Sequence, residues 1–339
     1  MRALHLGLLV STLAACGGGG ERLKVLTYNI GNADGTDPRY PLRLADQAYE
    51  DFVGARIRAL DADLVFLQEV LPPHTCAAFT ESDARRTCFD AANRPAPVQR
   101  LLGDGYSVVC DMRLQVECIG VKRKFGTIRG VAPGGFQLMG AETPALPLPS
   151  CSYAGGECDD TKCDAEATVS AIDVDTASSG AMRVVHLHPN APGEGAGGFY
   201  LGESCRRQQL VQAFDGLVKS GVPNVVAGDT NLDLGVFASE AETALWEAQV
   251  GAGKRFTDHG HVSTSGDFYP TRRVSIPVAI DKVLTDAFTG SCTVQGANES
   301  AGSDPGTKTL DDGFDFSTLV GGVARRIDHL AVVCDLTRR

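Results

Sequence analysis

The chain has 339 residues, of which 43% are hydrophobic and 22% charged, and this length suits one large α/β domain or two small ones. The formal net charge of −11 argues against tight, non-specific binding to DNA or to anionic lipid. The charge does not exclude a phosphate-bearing substrate, because a divalent cation can supply positive charge locally.

The N-terminus is predicted to be an export signal rather than part of the fold. A basic Arg2 precedes an apolar run that is too short to span a membrane as a helix. The following Leu-Ala-Ala-Cys, which ends at Cys16, resembles the lipobox of bacterial lipoproteins, in which the cysteine is lipidated. We expect residues 1–15 to be the signal peptide, residues 16–22 a lipidated cysteine with a Gly-rich tether, and residues 23–339 the folded domain. An ordinary cleaved signal with an incidental cysteine is the alternative.

The first half of the mature chain alternates strand-like and helix-like stretches. "LKVLTYNI" predicts a strand, residues 43–60 repeat apolar residues at helical spacing, and "ADLVFLQEV" predicts a second buried strand. Residues 72–100 are rich in Cys, Pro and polar residues, and predict a disulfide-linked loop with a short helix. "YSVVC", "CIGVKRK" and "TIRGVA" predict three further strands.

The second half predicts more hairpins than crossovers. After a loop-like insert at residues 140–165, "ATVSAIDVD" and "MRVVHLH" predict a hairpin. Ser204 and Gly221 bound a predicted amphipathic helix, which leads into the strand of "VPNVVAGDTNL". "PVAIDKVLT", "SCTVQG" and "RRIDHLAVVCDL" predict three closing strands. This pattern favours an α/β four-layer sandwich of two packed mixed β-sheets flanked by helices over a doubly wound parallel sheet.

The cysteines indicate an oxidising compartment. Ten remain once the lipobox cysteine is set aside, and an even number in an exported chain predicts disulfides. Local pairs such as Cys76–Cys88 and Cys110–Cys118 fit this interpretation, although sequence alone does not give the connectivity. A zinc site at the three cysteines of residues 151–163 is disfavoured, since they lack a CxxC pair and a nearby histidine.

Polar residues of a few types recur where the predicted strands end. In "NVVAGDTNLDL" three apolar residues lead into Gly-Asp-Thr-Asn, which a simple turn would also explain. With the alternation of a strand, however, Asp229 and Asn231 point to the same side. Similar groups end the other predicted strands: Asn29, Glu69, His186 with His188, Asp281, and Asp328 with His329.

Each of these residues has a structural explanation of its own, but the set indicates a chemistry. Carboxylates and carboxamides are the oxygen ligands that magnesium, calcium and manganese prefer. Imidazoles act as acid, base or donor to a phosphate oxygen near neutral pH. The combination suits metal-assisted hydrolysis of a phosphoester.

The motifs, in their order along the chain, resemble those of the endonuclease/exonuclease/phosphatase superfamily. These are "LTYNIG", "DLVFLQEV", "VVHLH", "VVAGDTNLD", "AIDKVLT" and "RRIDHLAVVCDL", and the resemblance runs from Leu23 to Leu336. The superfamily contains metal-dependent deoxyribonuclease-like enzymes, bacterial sphingomyelinases and inositol-polyphosphate phosphatases. The resemblance implies that residues 23–339 are a single catalytic domain that uses Mg²⁺, or Mn²⁺ or Ca²⁺ with the same ligands.

The resemblance also implies which residues bind the metal and which act on the attacking water and the phosphate. Glu69 would be the principal metal ligand, assisted by Asn29 and Asp328. Asp229 would orient or deprotonate the attacking water. Asn231 would hold a non-bridging phosphate oxygen as negative charge develops.

Two catalytic histidines are implied as well. His329 would contact the phosphate or act as the acid or base, with Asp281 orienting its ring. His186 would be the second, with Glu117 as the acid that orients it. Valine replaces the usual threonine before His186, and His188 faces the same side, so His188 is the alternative.

Two other positions depart from the family motifs without removing a reactive group. Thr230 stands where Phe is usual in Gly-Asp-Phe-Asn, and Ile327 replaces the common Ser before the last Asp-His. We therefore expect an active enzyme rather than a binding protein that has lost catalysis.

The favoured function is an exported nuclease, with nucleic acid as the phosphodiester substrate. Val121–Arg129 would give a basic strip for backbone phosphates, or else simply a strand with solvated Lys and Arg. A sphingomyelinase or phospholipase C-type lipid phosphodiesterase and a small-molecule phosphatase are the alternatives. We expect a monomer that is anchored to the bacterial envelope through Cys16 or secreted.

Overall fold

A computed structural model describes residues 20–31, 47–70, 96–111, 116–131, 137–138, 152–153, 156–157, 168–178, 180–191, 206–234, 238–260, 279–295 and 329–339. Four of the sequence predictions lie outside these ranges: the export signal with its tether cysteine, the zinc or disulfide cysteines of residues 151–163, the Cys76–Cys88 pair, and Asp328.

The described residues form short strands and a few helices. The strands in chain order are β1 (Arg22–Asn29), β2 (Leu64–Val70), β3 (Tyr106–Asp111), β4 (Val116–Lys122), β5 (Gly126–Val131), β6 (Gln137–Leu138), β7 (Ser152–Tyr153), β8 (Gly156–Glu157), β9 (Thr168–Thr176), β10 (Gly180–His188), β11 (Asn224–Asp229), β12 (Thr257–Asp258), β13 (Asp281–Thr285), β14 (Phe288–Val294) and β15 (Val332–Arg338). The helices are α1 (Gln47–Leu60), α2 (Pro97–Leu102), α3 (Glu240–Gln249), and residues 206–211, which continue as a π-helical segment, Gln212–Leu217.

Two mixed sheets carry the fold. The first has the order β14-β15-β1-β2-β4-β3-β6 and the second the order β12-β13-β11-β10-β9-β5, while β7 and β8 pair separately. In each sheet a single described pair is parallel, β1 with β2 and β10 with β11, and the other pairs are antiparallel. The first and last of the described strands are neighbours, since β1 pairs with β15.

Three apolar layers separate four layers of secondary structure. One face of the first sheet packs against α1 and α2, through residues such as Leu26 and Ile57. Its other face packs on the second sheet, through residues such as Phe66 and Val184. The far face of the second sheet is covered by the π-helical segment and α3, through Trp246. This arrangement confirms the predicted four-layer sandwich of two mixed β-sheets flanked by helices.

Because of the strand directions, seven of the strand ends at one end of the sandwich carry or adjoin the polar residues and lie together. The carboxyl ends of β1 and β2 lie beside the amino ends of β4 and β15 in the first sheet. The carboxyl ends of β10 and β11 lie beside the amino end of β13 in the second. Polar residues that the sequence spreads over 300 positions can therefore share one site.

The helix after β10 is shorter than the sequence predicted. Helical residues begin within the predicted range but end at Leu217, because the next residue, Val218, is extended with φ −70° and ψ 150°. The side chain of Asn224 accepts a hydrogen bond from the backbone N–H of Lys219 and donates to the carbonyls of Lys219 and Val222. These bonds hold residues 218–223 in a turn and replace the last predicted helical turn.

Two cross-strand disulfides lie within the described residues. Cys110–Cys118 joins β3 to β4, which confirms that predicted pair. Cys292–Cys334 joins β14 to β15. The sequence did not predict the second pair, because its partners are 42 residues apart and only the sheet brings them together. No helix in the described ranges is both long enough and apolar enough to cross a membrane.

Candidate active site

A polar cluster forms where the seven strand ends meet, and we call it the strand-end cluster. Its members come from both sheets, and all but one are buried: Asn29, Glu69, Glu117, His188, Asp229, Asn231, Asp281 and His329. The exception is Glu69, whose side chain is 16% exposed. The cluster thus opens to solvent next to Glu69.

Glu69 reaches the cluster because the backbone of β2 leaves its regular alternation. Leu67 faces the helices and Phe66 faces the second sheet, so an unbroken strand would point Glu69 toward the helices. Instead the pairing of β2 with β4 shifts between Leu67 and Val70, and Glu69 has φ 59°. A bulge re-aims a side chain in this way, and the left-handed conformation costs a non-glycine residue about 1–2 kcal/mol. Such strain is concentrated at functional sites.

Asn29 links the two sheets inside the cluster. Its Nδ2 donates to Glu69 Oε1 at 3.0 Å and to Asp229 Oδ2 at 3.1 Å. Its Oδ1 accepts from the backbone N–H of Gly31 at 2.8 Å, which fixes the orientation of the carboxamide. One amide therefore holds two carboxylates that belong to different sheets.

The first histidine–acid pair is His188 with Glu117. His188 Nδ1 lies 2.6 Å from Glu117 Oε1, and His188 Nε2 lies 4.0 Å from both Glu69 Oε1 and Asp229 Oδ2. Burial by itself would lower the pKa of His188, but the carboxylates of Glu117, Asp229 and Glu69 together raise it well above the ordinary histidine value. A protonated imidazole at this position would present an N–H toward the centre of the cluster.

The second pair, His329 with Asp281, approaches the same point from the other side. His329 Nδ1 lies 3.0 Å from Asp281 Oδ2, and His329 Nε2 lies 3.6 Å from Asp229 Oδ2. Asp281 is held next to Asp229 because the two residues are partners in the β11–β13 ladder. The Nε2 atoms of both histidines therefore face one oxygen of Asp229.

The Asp-x-Asn motif is brought together by a turn rather than by continued strand alternation. β11 ends at Asp229, and Asn231 has φ 47°, a conformation that Asn tolerates. The backbone N–H of Asn231 donates to Asp229 Oδ1 at 2.8 Å, and its Nδ2 donates to the carbonyl of Pro189 at 2.9 Å. Between them, Thr230 donates from its N–H and its hydroxyl to the carbonyl of Ile280, at 2.8 and 2.6 Å. The threonine that departs from the family motif thus ties β11 to the segment before β13.

The glycine of this motif is required by the approach of two backbones. A Cβ added to Gly228 would lie 1.9 Å from the carbonyl oxygen of Leu187, and Gly228 has φ 145°. No side chain fits there. The neighbours of these two residues are Asp229 and His188, so the glycine brings two members of the cluster together.

His186, which the resemblance implied as catalytic, lies beneath the cluster, with its Nε2 3.8 Å from Glu117 Oε2. It is fully buried between the sheets, its ring stacks on Phe66 with centroids 5.8 Å apart, and its Nε2 lies 2.7 Å from Gln68 Nε2. Burial, together with the nearby His188, lowers the pKa of His186 well below the ordinary value. The alternative, His188, occupies the position beside Glu69 and Asp229.

The donors of the cluster suit a divalent cation. Asn29 and Glu69, two of the three residues implied as metal ligands, lie together; Asp328 is outside the described residues. Single ligand atoms of Asp229, Asp281 and His329 also lie within 4.8 Å of one another. The carboxylate and carboxamide oxygens fit Mg²⁺ or Mn²⁺, whereas imidazole is more typical of later transition metals, and a cation would offset the crowded negative charge of these carboxylates. The sequence predicted other roles for Asp229, Asp281 and His329, and the His329–Asp281 and Asn231–Asp229 hydrogen bonds fit those roles.

Several solved structures have a fold similar to that of this chain. An endonuclease/exonuclease/phosphatase family protein from Bacteroides thetaiotaomicron has a TM-score of 0.54 and 15% identity, over 94% of this chain and 98% of that chain. The endonuclease/exonuclease/phosphatase from Beutenbergia cavernae has a TM-score of 0.52 and 22% identity, over 94% and 72%. D. rerio TDP2, complexed with single strand DNA product, has a TM-score of 0.53 and 12% identity, over 93% and 99%.

The sequence itself matches no family model and no curated protein. The shared architecture nevertheless shows the fold. The chain has the fold of the endonuclease/exonuclease/phosphatase proteins, as the order of its motifs implied.

Proposed function

We propose that this protein is a divalent-metal-dependent phosphodiesterase that hydrolyses nucleic acid. One observation carries the proposal: two histidines, each held at Nδ1 by an acid, direct Nε2 toward the same oxygen of Asp229, at 4.0 and 3.6 Å. Such a site can hold a phosphoryl group between two imidazoles while a carboxylate directs water at the phosphorus. The similar endonuclease/exonuclease/phosphatase structures support the same class of reaction.

Asp229 is the residue that orients or deprotonates the attacking water. Its Oδ1 accepts from the backbone N–H of Asn231, and its Oδ2 accepts from Asn29 and faces both histidines. The carboxylate is therefore fixed in direction before substrate arrives, and general-base catalysis depends on this kind of positioning.

The histidines and Asn231 stabilise the charge that develops on the phosphoryl oxygens. Glu117 and Asp281 fix the two imidazoles through Nδ1, so that each Nε2–H is directed at the reaction centre. We assign the second catalytic histidine to His188 in place of His186, because only His188 lies beside Glu69 and Asp229. The Asn231 amide, already held by the Pro189 carbonyl, has a second N–H for a phosphate oxygen.

The cation would be held by Asn29, Glu69 and Asp328. We propose that it is Mg²⁺; Mn²⁺ and Ca²⁺ use the same oxygen ligands. When bound, a divalent cation stabilises negative charge on the phosphoryl and leaving oxygens.

Nucleic acid is the favoured substrate because TDP2, which has a similar fold, is complexed with single strand DNA product. The lipobox at Cys16 supports export, with the enzyme anchored to the bacterial envelope or secreted.

The purified chain, incubated with a single-stranded oligonucleotide or plasmid DNA with and without Mg²⁺, tests the proposal. We expect metal-dependent cleavage that falls by about 10²–10⁴-fold in Asp229→Ala, the range for losing a general base. Sphingomyelin vesicles serve as the parallel substrate. Release of choline phosphate with intact DNA would contradict the nuclease assignment, and full activity of Asp229→Ala would contradict the site.

A further inference from the structure

The strand-end cluster is divided between the two sheets. The first sheet contributes Asn29, Glu69 and Glu117, and His329 lies next to its strand β15. The second sheet contributes His188, Asp229, Asn231 and Asp281. The two sheets are joined below the cluster by an apolar layer. Apolar packing is strong but non-directional, so it does not by itself fix how far one sheet is shifted over the other. Polar contacts between the sheets can fix it, and within the cluster Asn29, Glu117 and His329 each bond across to the second sheet.

A polar contact lies directly beneath the cluster, inside that apolar layer. Gln68 Nε2 on β2 lies 2.7 Å from His186 Nε2 on β10, and both side chains are fully buried. The hydroxyl of Thr27 donates to Gln68 Oε1 across 3.5 Å, a long hydrogen bond. We call Thr27, Gln68 and His186 the inter-sheet triad.

Each member of the inter-sheet triad lies one or two residues before a member of the cluster. Thr27 precedes Asn29 by two residues, Gln68 directly precedes Glu69, and His186 precedes His188 by two. Phe66, also on β2, stacks on the His186 ring at an interplanar angle of 6°, which limits rotation of the imidazole. Any sliding of one sheet over the other would change the triad and the cluster together.

The hydrogen bond between Gln68 and His186 has a defined direction. An amide nitrogen can only donate, so with Gln68 Oε1 toward Thr27 and Nε2 toward His186, the matching tautomer of His186 has an unprotonated Nε2 that accepts. A buried donor that loses its partner keeps its desolvation cost, so this contact resists sliding more strongly than apolar neighbours do.

We propose that Gln68 and His186 are positioning residues: their hydrogen bond sets the separation between the cation-binding half of the site at Glu69 and the half at His188 and Asp229. The kinetic part of this inference rests on the proposed phosphodiesterase function. Neither residue contacts the reacting atoms. In the structure this separation is the 4.0 Å between Glu69 Oε1 and His188 Nε2, and the bond acts on it together with the contacts that Asn29 and Glu117 make across the sheets.

Kinetics of the single variants Gln68→Leu and His186→Leu on a single-stranded oligonucleotide with Mg²⁺ test the inference. We expect kcat to fall by about 10–100-fold with KM changed less than about threefold, since a displacement near 1 Å can cost about 10²-fold in rate. His186→Gln, whose side-chain oxygen can accept the same hydrogen bond, should recover most of kcat. Val184→Ala is the matched control, because Val184 faces the same apolar layer two residues earlier on β10. It should lower Tm and leave kcat unchanged.

The double variant Gln68→Leu/His186→Leu separates a shared role from two independent ones. If one hydrogen bond does the positioning, the double variant should lose no more kcat than either single variant, because coupled residues are not additive. Losses that multiply, an unchanged kcat in the single variants, or an equal loss in Val184→Ala would overturn the inference.

The wild type, the two single variants and the double variant also give a readout that does not depend on the reaction. The losses in the midpoint of urea unfolding should be non-additive, so that the double variant is no less stable than the less stable of the two single variants. Additive losses would show that Gln68 and His186 do not stabilise the fold through a shared contact. If the wild-type chain cleaves no phosphodiester, the proposed function fails alone, and the unfolding cycle still decides whether the bond joins the two sheets.

Discussion

The two ends of the sandwich use the same strands but arrange their charges in opposite ways. At the end away from the cluster, each carboxylate is paired with a cation near solvent: Lys122 Nζ lies 2.7 Å from Asp61 Oδ1, and Asp173 pairs with Lys219 at 2.7 Å and with Arg183 at 3.1 Å. At the cluster end, buried carboxylates converge on two histidines and on one another. The first arrangement is typical of a solvated surface. The second is costly for folding and is expected where charge serves a reaction.

This difference also decides between two interpretations of the basic segment Val121–Arg129. β4 has Glu117 in the cluster and Lys122 at its other end, about 17 Å away at 3.3 Å per residue. Lys122 pairs with Asp61, and Arg129 pairs with Asp175 at 2.6 Å. The segment is a hairpin, since β4 ends at Lys122 and β5 begins at Gly126, and its geometry favours solvated cations, two of them paired, over a strip that guides phosphates into the site.

Replacing His188 by Asn is expected to have the largest effect at the cluster end. The variant removes an imidazole whose Nε2 faces Asp229, and loss of a positioned acid or base costs about 10²–10⁴-fold in kcat. Steady-state kinetics on an oligonucleotide would measure it.

His259→Asn is the matched control for His188→Asn. His259 is also buried and also hydrogen-bonded, at 2.7 Å to Thr285 Oγ1, but lies toward the opposite end of β13 from Asp281. It should lower Tm and leave kcat within about twofold. Equal losses of kcat in the two variants would mean that the enzyme responds to destabilisation and not to the missing catalytic group.

Replacing Glu69 by Gln should mainly change the requirement for metal. The carboxamide keeps the shape of the side chain but removes the charge, and loss of a charged ligand should weaken metal binding at least as much as loss of an outer-shell partner, which costs about 10–100-fold in affinity. The concentration of Mg²⁺ or Mn²⁺ that gives half-maximal activity should rise by at least that factor, with smaller loss of rate at saturating metal.

Glu50→Gln provides the comparison for Glu69→Gln on a buried glutamate outside the cluster. Glu50 binds Arg100 at 2.6 Å on the helix side of the first sheet. Its loss should lower the free energy of unfolding without shifting the metal titration. A metal titration of Glu69→Gln that coincides with the wild-type curve would remove Glu69 from the metal site.

Sequence patterns predicted the layers of the fold and most members of the cluster, because alternation and strand ends are local signals. They did not predict the backbone conformation at the strand ends. The bulge that re-aims Glu69 and the left-handed turn at Asn231 depend on pairing with other strands. Local sequence signals also could not decide whether His186 or His188 lies in the cluster. Both face the same layer, and only the position of the sheet edge decides which one reaches the cluster.

The far end of the sandwich should give the smallest effect, and it tests whether the comparison between the ends holds. Lys122→Ala breaks a pair in which Asp61 is 69% exposed, and exposed pairs contribute about 0–1 kcal/mol to stability. We expect an unchanged kcat and a KM for DNA within about twofold, at both low and moderate salt. If Lys122 guided the nucleic acid backbone, removing one phosphate contact would raise KM and flatten its dependence on salt concentration. That result would assign the basic segment to substrate binding after all, and would mean that DNA extends along the sandwich from the cluster to its opposite end.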